Sequence, residues 1–242
     1  MTSGVSPASI SLDNYFVDRV DTPLDEDGEY DFETIDALDL DLLNRQLKEL
    51  LQERPVYLPQ YDFIAGTKSF SKEPFQLKPD QPLILEGIHA LNERLSSGVF
   101  QKDKYKIYVS ALTVLNLDEH NRIPTTDNRL LRRIIRDHRT RGYSAADTIA
   151  RFASVRKGED QHIFPFQENA DAIFNSALDY ELAVLKKQVL PLLEEISLDS
   201  PVYFHAKRLK KFLYYFLQIE NESWVPSTSI LKEFIGGSSL DV

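Results

Sequence analysis

Cysteine is absent from this chain, and its absence removes several kinds of chemistry at once. Without thiols the protein has no disulfide, no thiolate zinc site and no cysteine nucleophile. A chain without cysteine fits a reducing compartment, and we therefore expect the protein to be cytoplasmic.

Long hydrophobic runs are missing as well. No stretch approaches the ~20 apolar residues that a membrane-spanning helix needs, so we expect no membrane partner. Residues 1–9 lack the basic and then apolar layout of a signal peptide. Because these residues are small and polar, they predict a flexible N-terminus.

Positive charge is in deficit, since 28 lysine and arginine residues face 38 aspartate and glutamate residues, for a formal net charge of -10. This balance argues against a protein whose main partner is nucleic acid. The five histidines form no H-x-x-x-H or H-E-x-x-H pair, so their spacing does not predict a metal centre.

The 242 residues contain an alternation of β-like and helical patterns. Apolar runs at residues 10–16, 82–90 and 106–110 predict strands, and the second and third have the continuous apolar character of buried strands. Strands separated by helical segments predict an α/β fold, with a parallel sheet flanked by helices.

We expect an α/β domain over residues 10–178, with an arginine-rich lid around residues 127–157. Two amphipathic helices are predicted at about residues 180–196 and 203–217. They predict a helical C-terminal extension over residues 179–242 that packs on the same domain.

Acidic residues accompany two of the predicted strands. Asp13 follows the first apolar residues of the first run, and Glu86 lies towards the end of the second. Open parallel sheets present functional groups at the carboxyl ends of their strands, which makes both acids candidates for catalytic carboxylates. The alternative is that Asp13 and Asn14 turn the chain or cap a helix.

Arginine is concentrated in residues 127–142, which carry six arginines in sixteen residues. On a helix, one broad face would hold Arg129, Arg132, Arg133 and Arg136. Guanidinium groups match the geometry of phosphate oxygens, so this face predicts an anion site. The alternative is a solvated helix whose arginines pair with the protein's own carboxylates.

Two acids at strand ends and an arginine-rich helix are parts that phosphoryl transfer to a hydroxyl requires. One carboxylate orients the acceptor, a second acts on Mg²⁺, and the cations hold phosphate oxygens. The phosphate-binding loop G-x-x-x-x-G-K-[ST] does not occur in the 242 residues. Residues 66–69 (GTKS) lack its spacing.

Several ordered segments resemble the phosphoribulokinase/uridine kinase family of P-loop kinases, in its bacterial nucleoside and uridine kinase-like branch. They are residues 10–16 (ISLDNYF), 30–33 (YDFE), 61–63 (YDF), 84–88 (ILEGI) and 129–137 (RLLRRIIRD), with 116–127 (NLDEHNRIPTTD) and 234–238 (FIGGS) supporting that branch. The resemblance runs from about residue 10 to the C-terminus. It implies ATP- and Mg²⁺-dependent phosphoryl transfer to the 5′-hydroxyl of a nucleoside.

The resemblance also implies catalytic and phosphate-binding roles. Asp13 would take the proton from the sugar 5′-hydroxyl. Glu86 would act on Mg²⁺, directly or through water. Arg133, Arg136 and Arg141 match lid arginines that close on the phosphates.

Nucleoside-binding residues are implied in the same way. Glu33 falls where uridine kinases place an aspartate that binds ribose hydroxyls, and Tyr61 matches a tyrosine that contacts the base. Phe16 falls where these kinases usually carry a tyrosine. Gly66 takes the place of a base-recognising histidine, so a pyrimidine preference is not implied.

The front of the chain departs from the family pattern. In the family, a first strand, the phosphate-binding loop and its helix precede the segment that resembles residues 10–16, whereas here only residues 1–9 precede it. Three explanations are open: a truncated chain, a segment supplied by a partner or by the full-length protein, and a relative that no longer binds ATP. We expect truncation, and hence a weak or inactive isolated chain.

Two other classes of function stay open beside the kinase. One is a non-catalytic kinase remnant that senses a ligand or binds another protein. The other is RNA binding through the arginine-rich helix, which the negative net charge opposes. The sequence also leaves open whether the protein forms a homo-oligomer.

Overall fold

The computed structural model describes residues 6–26 and 28–240, and within these ranges it is an α/β protein. The elements in chain order are β1 (Ala8–Ser11), α1 (Leu40–Leu50), β2 (Pro59–Asp62), β3 (Thr67–Phe70), β4 (Leu83–Glu86), β5 (Ile107–Ser110), α2 (Thr125–Arg141), α3 (Ala145–His162), β6 (Ala172–Asn175), α4 (Glu181–Glu194), α5 (Tyr203–Leu213) and α6 (Lys232–Ile235). Of the N-terminus expected to be flexible, residues 1–5 lie outside the described ranges, and Ala8 and Ser9 belong to β1.

The chain divides into two compact units, each assembled from two segments. The N-terminal unit comprises Met1–Tyr108 and Arg156–Ala172, and the C-terminal unit comprises Val109–Val155 and Ile173–Val242. The chain therefore passes from one unit to the other within β5, within α3 and within β6. The division at residue 178 that the sequence predicts stays a prediction.

In the N-terminal unit, β1 and β4 run parallel, and Ser11 is the register partner of Glu86. Strands β2 and β3 form an antiparallel hairpin. The core lies under the apolar side of α1, where Leu43, Leu47 and Leu50 are buried. Asp39 caps α1, because its Oδ1 accepts a hydrogen bond of 3.0 Å from the Leu42 amide.

The C-terminal unit has its own core, built mainly from α2, α4 and α5. Leu131 and Ile134 of α2 are fully buried together with Leu185 of α4 and Leu209 of α5. The arginine-rich helix therefore has an apolar stripe that packs into this core. It ends at Gly142, whose φ of 67° is the left-handed conformation that glycine adopts readily.

The fold class predicted from the sequence is confirmed, since parallel strands are flanked by helices. In the second strand pair, β5 with β6, the Ala172 amide donates to the Lys106 carbonyl at 3.1 Å and the Ser176 amide to the Ser110 carbonyl at 2.8 Å. These two bonds make the pair parallel. The two helices expected in the C-terminal extension are present as α4 and α5.

The predicted burial of two strands is wrong. Ile84 of β4 is 47% exposed and Ile107 of β5 is 52% exposed. Within the described residues, β4 pairs with β1 alone and β5 with β6 alone, so each strand keeps an unpaired edge. The first predicted strand is also shorter than expected, because it ends at Ser11 and residues 12–15 form a 3₁₀ helix.

No helix in residues 6–26 and 28–240 combines the length and the apolar character that crossing a membrane requires.

Candidate functional site

The carboxyl ends of β1 and β4 hold the two acids that the sequence singles out. Asp13 follows Ser11 by two residues, and Ser11 is paired in register with Glu86. Because β1 and β4 are parallel neighbours, both carboxylates lie at the same edge of the strand pair. Both side chains are exposed, so both are accessible to a ligand.

Gly87 allows the chain to turn closely past this edge. Its φ is 151°, and a Cβ at this position would lie 2.8 Å from the Cβ of Leu12. The absence of a side chain lets buried Leu12 pack against the end of β4. This packing fixes the 3₁₀ helix that carries Asp13.

Five aromatic residues adjoin this edge, and we call them the aromatic cluster: Phe16, Tyr30, Phe32, Tyr61 and Phe63. The ring centroids of Phe16 and Tyr61 lie 5.6 Å apart, and those of Tyr61 and Phe63 lie 5.1 Å apart. The structure therefore brings together Phe16 and Tyr61, two of the three residues that the resemblance assigns to the nucleoside.

The hydroxyl of Tyr61 has no hydrogen-bond partner within the described residues, although it is buried. Burial, together with nearby Asp18, raises the pKa of this phenol, while the Arg19 cation acts in the opposite direction. The Tyr61 amide donates to Asn14 Oδ1 at 3.3 Å, which ties β2 to the segment that carries Asp13. A buried hydroxyl without a partner is an available hydrogen-bonding group for a ligand.

Glu33, the residue assigned to the ribose, packs against the last part of α3. A Cβ on Gly158 would lie 2.5 Å from the Cβ of Glu33, so any side chain at position 158 would displace it. The Glu33 amide donates to Asp31 Oδ1 at 3.0 Å, which orders this segment. Glu33 is half-buried and thus partly open to solvent.

Arg19 contacts the aromatic cluster, and no motif in the sequence points to it. Its Nη2 donates to the Phe63 carbonyl at 2.6 Å, and its amide donates to the Gly66 carbonyl at 2.8 Å. The available signal was composition, because Arg19 is the only basic residue in residues 18–31. Because it binds the Phe63 carbonyl, the guanidinium of Arg19 lies next to the aromatic cluster.

The three arginines assigned to phosphate lie together in the C-terminal unit, around buried Asp137. The shortest distances to its carboxylate oxygens are 3.3 Å from Arg133 Nε, 3.7 Å from Arg136 Nε and 3.3 Å from Arg141 Nη1. We call these residues the arginine cluster. Because three cations surround one carboxylate, the arginine cluster has an excess of positive charge that fits anionic oxygens.

Burial and the neighbouring Arg141 lower the pKa of Arg136, and the Arg136 Nε has no hydrogen-bond partner within the described residues. The carboxylates of Asp137 and Glu233 oppose this shift, and the Arg136 Nε leaves one donor of the arginine cluster available to an anion. An anion bound there would supply the missing partner.

Arg132 belongs to the helix face that the sequence predicts, but it is not available to an anion, because it is buried and paired inside the protein. Its Nε and Nη2 donate to the carboxylate of Glu181 at 2.8 and 2.6 Å, and its Nη2 also donates to the Ser176 carbonyl at 2.7 Å. Arg132 and Glu181 are both buried. The reason is that Arg132 lies beside the apolar stripe of α2, where only an internal carboxylate can balance it.

No group of three or more histidine, aspartate and glutamate side chains within the described part of the chain is placed to hold a metal ion. Mg²⁺ does not need such a group, because it is commonly bound by one or two carboxylates together with water and substrate phosphates. The exposed carboxylates of Asp13 and Glu86 at one strand edge fit that type of binding.

Comparison with known proteins shows a family match over most of the chain. The model of the phosphoribulokinase/uridine kinase family matches residues 17–183. A uridine kinase of Lactobacillus helveticus is 30% identical over 177 residues, which cover 72% of this chain and 75% of that protein. A uridine kinase of Staphylococcus aureus strain Newman is 32% identical over 182 residues, which cover 75% of this chain and 79% of that protein. Asp13 and Phe16 precede the family match, whereas the other proposed site residues lie within it.

Proposed function

Because the chain belongs to the phosphoribulokinase/uridine kinase family, we propose that it acts in the ATP- and Mg²⁺-dependent transfer of a phosphoryl group to the 5′-hydroxyl of a nucleoside. The observation that carries this proposal is the register of β1 and β4, which brings Asp13 and Glu86 to one edge. Phe16 of the aromatic cluster follows Asp13 by three residues, so a base and its sugar would lie next to the acids. We place this reaction in the cytoplasm.

In this proposal the two acids have different tasks. Asp13 accepts the proton of the 5′-hydroxyl, because an exposed carboxylate at a strand end can form a hydrogen bond to that group and orient it. Glu86 holds Mg²⁺, directly or through water. Bound Mg²⁺ would neutralise charge on the phosphate oxygens during transfer.

The remaining residues bind the substrates. Glu33 accepts hydrogen bonds from ribose hydroxyls, while the aromatic cluster contributes ring faces for the base. The arginine cluster binds phosphate oxygens through its excess positive charge. Because the 242 residues contain no G-x-x-x-x-G-K-[ST] loop, we expect this chain to bind ATP weakly.

The test is phosphoryl transfer from radiolabelled ATP to uridine, cytidine and other nucleosides, with the chain and with Asp13→Asn. We expect Asp13→Asn to lower turnover by about 10²- to 10⁴-fold, because the proton acceptor is lost. Asp21→Asn is the matched control: it makes the same change at an exposed acid of the same segment and should leave turnover unchanged.

Equal and measurable turnover in Asp13→Asn and the unaltered chain would remove Asp13 from the mechanism. Absence of both nucleoside binding and transfer in the unaltered chain would contradict the proposal. That result would favour a non-catalytic module that binds a different ligand.

A further inference from the structure

The hydroxyl of Tyr61 is a polar group of the aromatic cluster that forms no hydrogen bond within the described residues. The Tyr61 side chain is buried, with the residue 8% exposed, and its hydroxyl has no hydrogen-bond partner within the described residues. Leaving such a group unpaired costs stability unless a ligand or water satisfies it. The rings of Phe16 and Phe63 contact Tyr61, so a planar ligand would find both aromatic faces and a hydrogen-bonding group there.

The guanidinium of Arg19 occupies the space beside Gly66. A Cβ built on Gly66 would lie 2.8 Å from both Cζ and Nε of Arg19, so a side chain at position 66 and Arg19 exclude each other. Arg19 is anchored by the bond from its Nη2 to the Phe63 carbonyl. A guanidinium has five N–H donors, so donors remain for a ligand.

We propose that Arg19 determines which nucleoside base is bound, by favouring a base with a ring carbonyl over the corresponding amino base, while the Tyr61 hydroxyl binds either one. This inference rests on the proposed function. A carbonyl oxygen accepts from the guanidinium, whereas an exocyclic amino group would place donors against donors. The Tyr61 hydroxyl can donate or accept, so it contributes affinity without preference.

The shared chemistry is a carbonyl where the counterpart carries an exocyclic amino group, at position 4 of the pyrimidine in uridine and at position 6 of the purine in inosine. Each has an amino counterpart, cytidine and adenosine respectively. The two pairs therefore measure the same preference with bases of different size. Whichever pair binds more tightly identifies the size of base that the site accepts.

The experiment is calorimetric titration of the full chain with uridine, cytidine, inosine and adenosine, without ATP. We expect the carbonyl member of the better-bound pair to bind at least about tenfold more tightly, the effect of one hydrogen bond to a charged donor. Arg19→Met keeps the length of the side chain but removes every donor, and should bring the ratio close to 1. Arg19→Lys keeps a donor and should keep part of the preference.

Tyr61→Phe separates the two tasks, because it should weaken both members of a pair by a similar factor of about 5 to 10 and leave their ratio unchanged. Circular dichroism of each variant shows whether it is folded, and Arg19→Lys serves if Arg19→Met is not. Tight binding without preference, preference for the amino member, or a ratio that survives Arg19→Met would overturn this inference alone. Absence of binding to all four nucleosides would overturn the proposed function as well.

Discussion

Two tyrosines of the N-terminal unit show how a hydroxyl that stabilises the fold differs from a hydroxyl that is available to a ligand. Tyr15 and Tyr61 are both buried tyrosines, but they differ in what their hydroxyls contact. The Tyr15 hydroxyl donates to Gln46 Oε1 at 2.7 Å, whereas the Tyr61 hydroxyl has no partner within the described residues. Their phenylalanine variants therefore distinguish a structural hydroxyl from one reserved for a substrate.

We expect Tyr15→Phe to lower the free energy of unfolding by about 1 to 2 kcal/mol, because Gln46 loses its hydrogen-bond donor. Tyr61→Phe should leave the unfolding free energy unchanged or slightly higher, because it removes an unsatisfied polar atom. Urea denaturation of the two variants beside the unaltered chain measures both. Equal destabilisation by the two variants would show that the Tyr61 hydroxyl has a structural partner.

His89 gives the unit a dependence on pH. The side chain is 2% exposed, and burial lowers its pKa to about 4, helped by nearby His162 and opposed by Asp31. The unfolded chain, with an ordinary histidine pKa near 6.5, therefore binds more protons than the folded protein between about pH 4 and 6.5. Stability is complete above that window and falls as the pH decreases through it.

The expected loss between pH 7.5 and pH 5 is about 2 kcal/mol of unfolding free energy. His89→Leu, which replaces the imidazole with an apolar side chain of similar size, should reduce this loss by that amount. Urea denaturation at the two pH values measures the difference. An identical pH dependence in His89→Leu and the unaltered chain would exclude His89 as its source.

Among the elements, α2 combines a structural role with a binding role. Arg132 forms the buried pair with Glu181 at the beginning of α4, and Arg133, Arg136 and Arg141 surround Asp137. Each of these four arginines therefore lies close to a carboxylate of the protein itself. In the arginine cluster three cations share the carboxylate of Asp137, and this is the part of α2 that we propose for phosphate binding.

Glu181→Gln tests the structural role of Arg132 in α2. We expect it to lower the unfolding free energy by about 3 to 5 kcal/mol, because it leaves the Arg132 guanidinium buried without a counter-charge. The double variant Arg132→Met with Glu181→Gln should recover most of this loss, since the buried charge is then gone. Urea denaturation measures both. A single variant as stable as the unaltered chain would mean that water reaches Arg132.

Helices and strands were predicted from the sequence more accurately than their burial and their contacts. The periodicity of the C-terminal helices and the alternation of strands with helices depend on local spacing, and the structure confirms both. Burial of Ile84 and Ile107 depends on which strands pair, and an apolar run alone does not fix pairing. Likewise Arg132 and Arg133 are adjacent in sequence, yet only the folded position of Glu181 gives them different partners.

At the scale of the whole molecule, the family and the fold class were recognisable from ordered short segments, and the matched range of residues 17–183 supports that recognition. The separation into two units could not be recognised from the sequence, because each unit is assembled from two distant stretches of chain. The position of Arg19 could not be predicted from the sequence either. Its position beside Gly66 arises from folding and not from any spacing along the sequence.

The nucleoside site that we propose lies in the N-terminal unit, at the carboxyl ends of β1 and β4 beside the aromatic cluster. Backbone amide resonances of the isotope-labelled chain, followed during titration with uridine and inosine, test it most directly. We expect the largest shifts in residues 13–16, 61–66 and 86–89. No shift with either nucleoside, or shifts confined to residues 109–155 and 173–242, would contradict it.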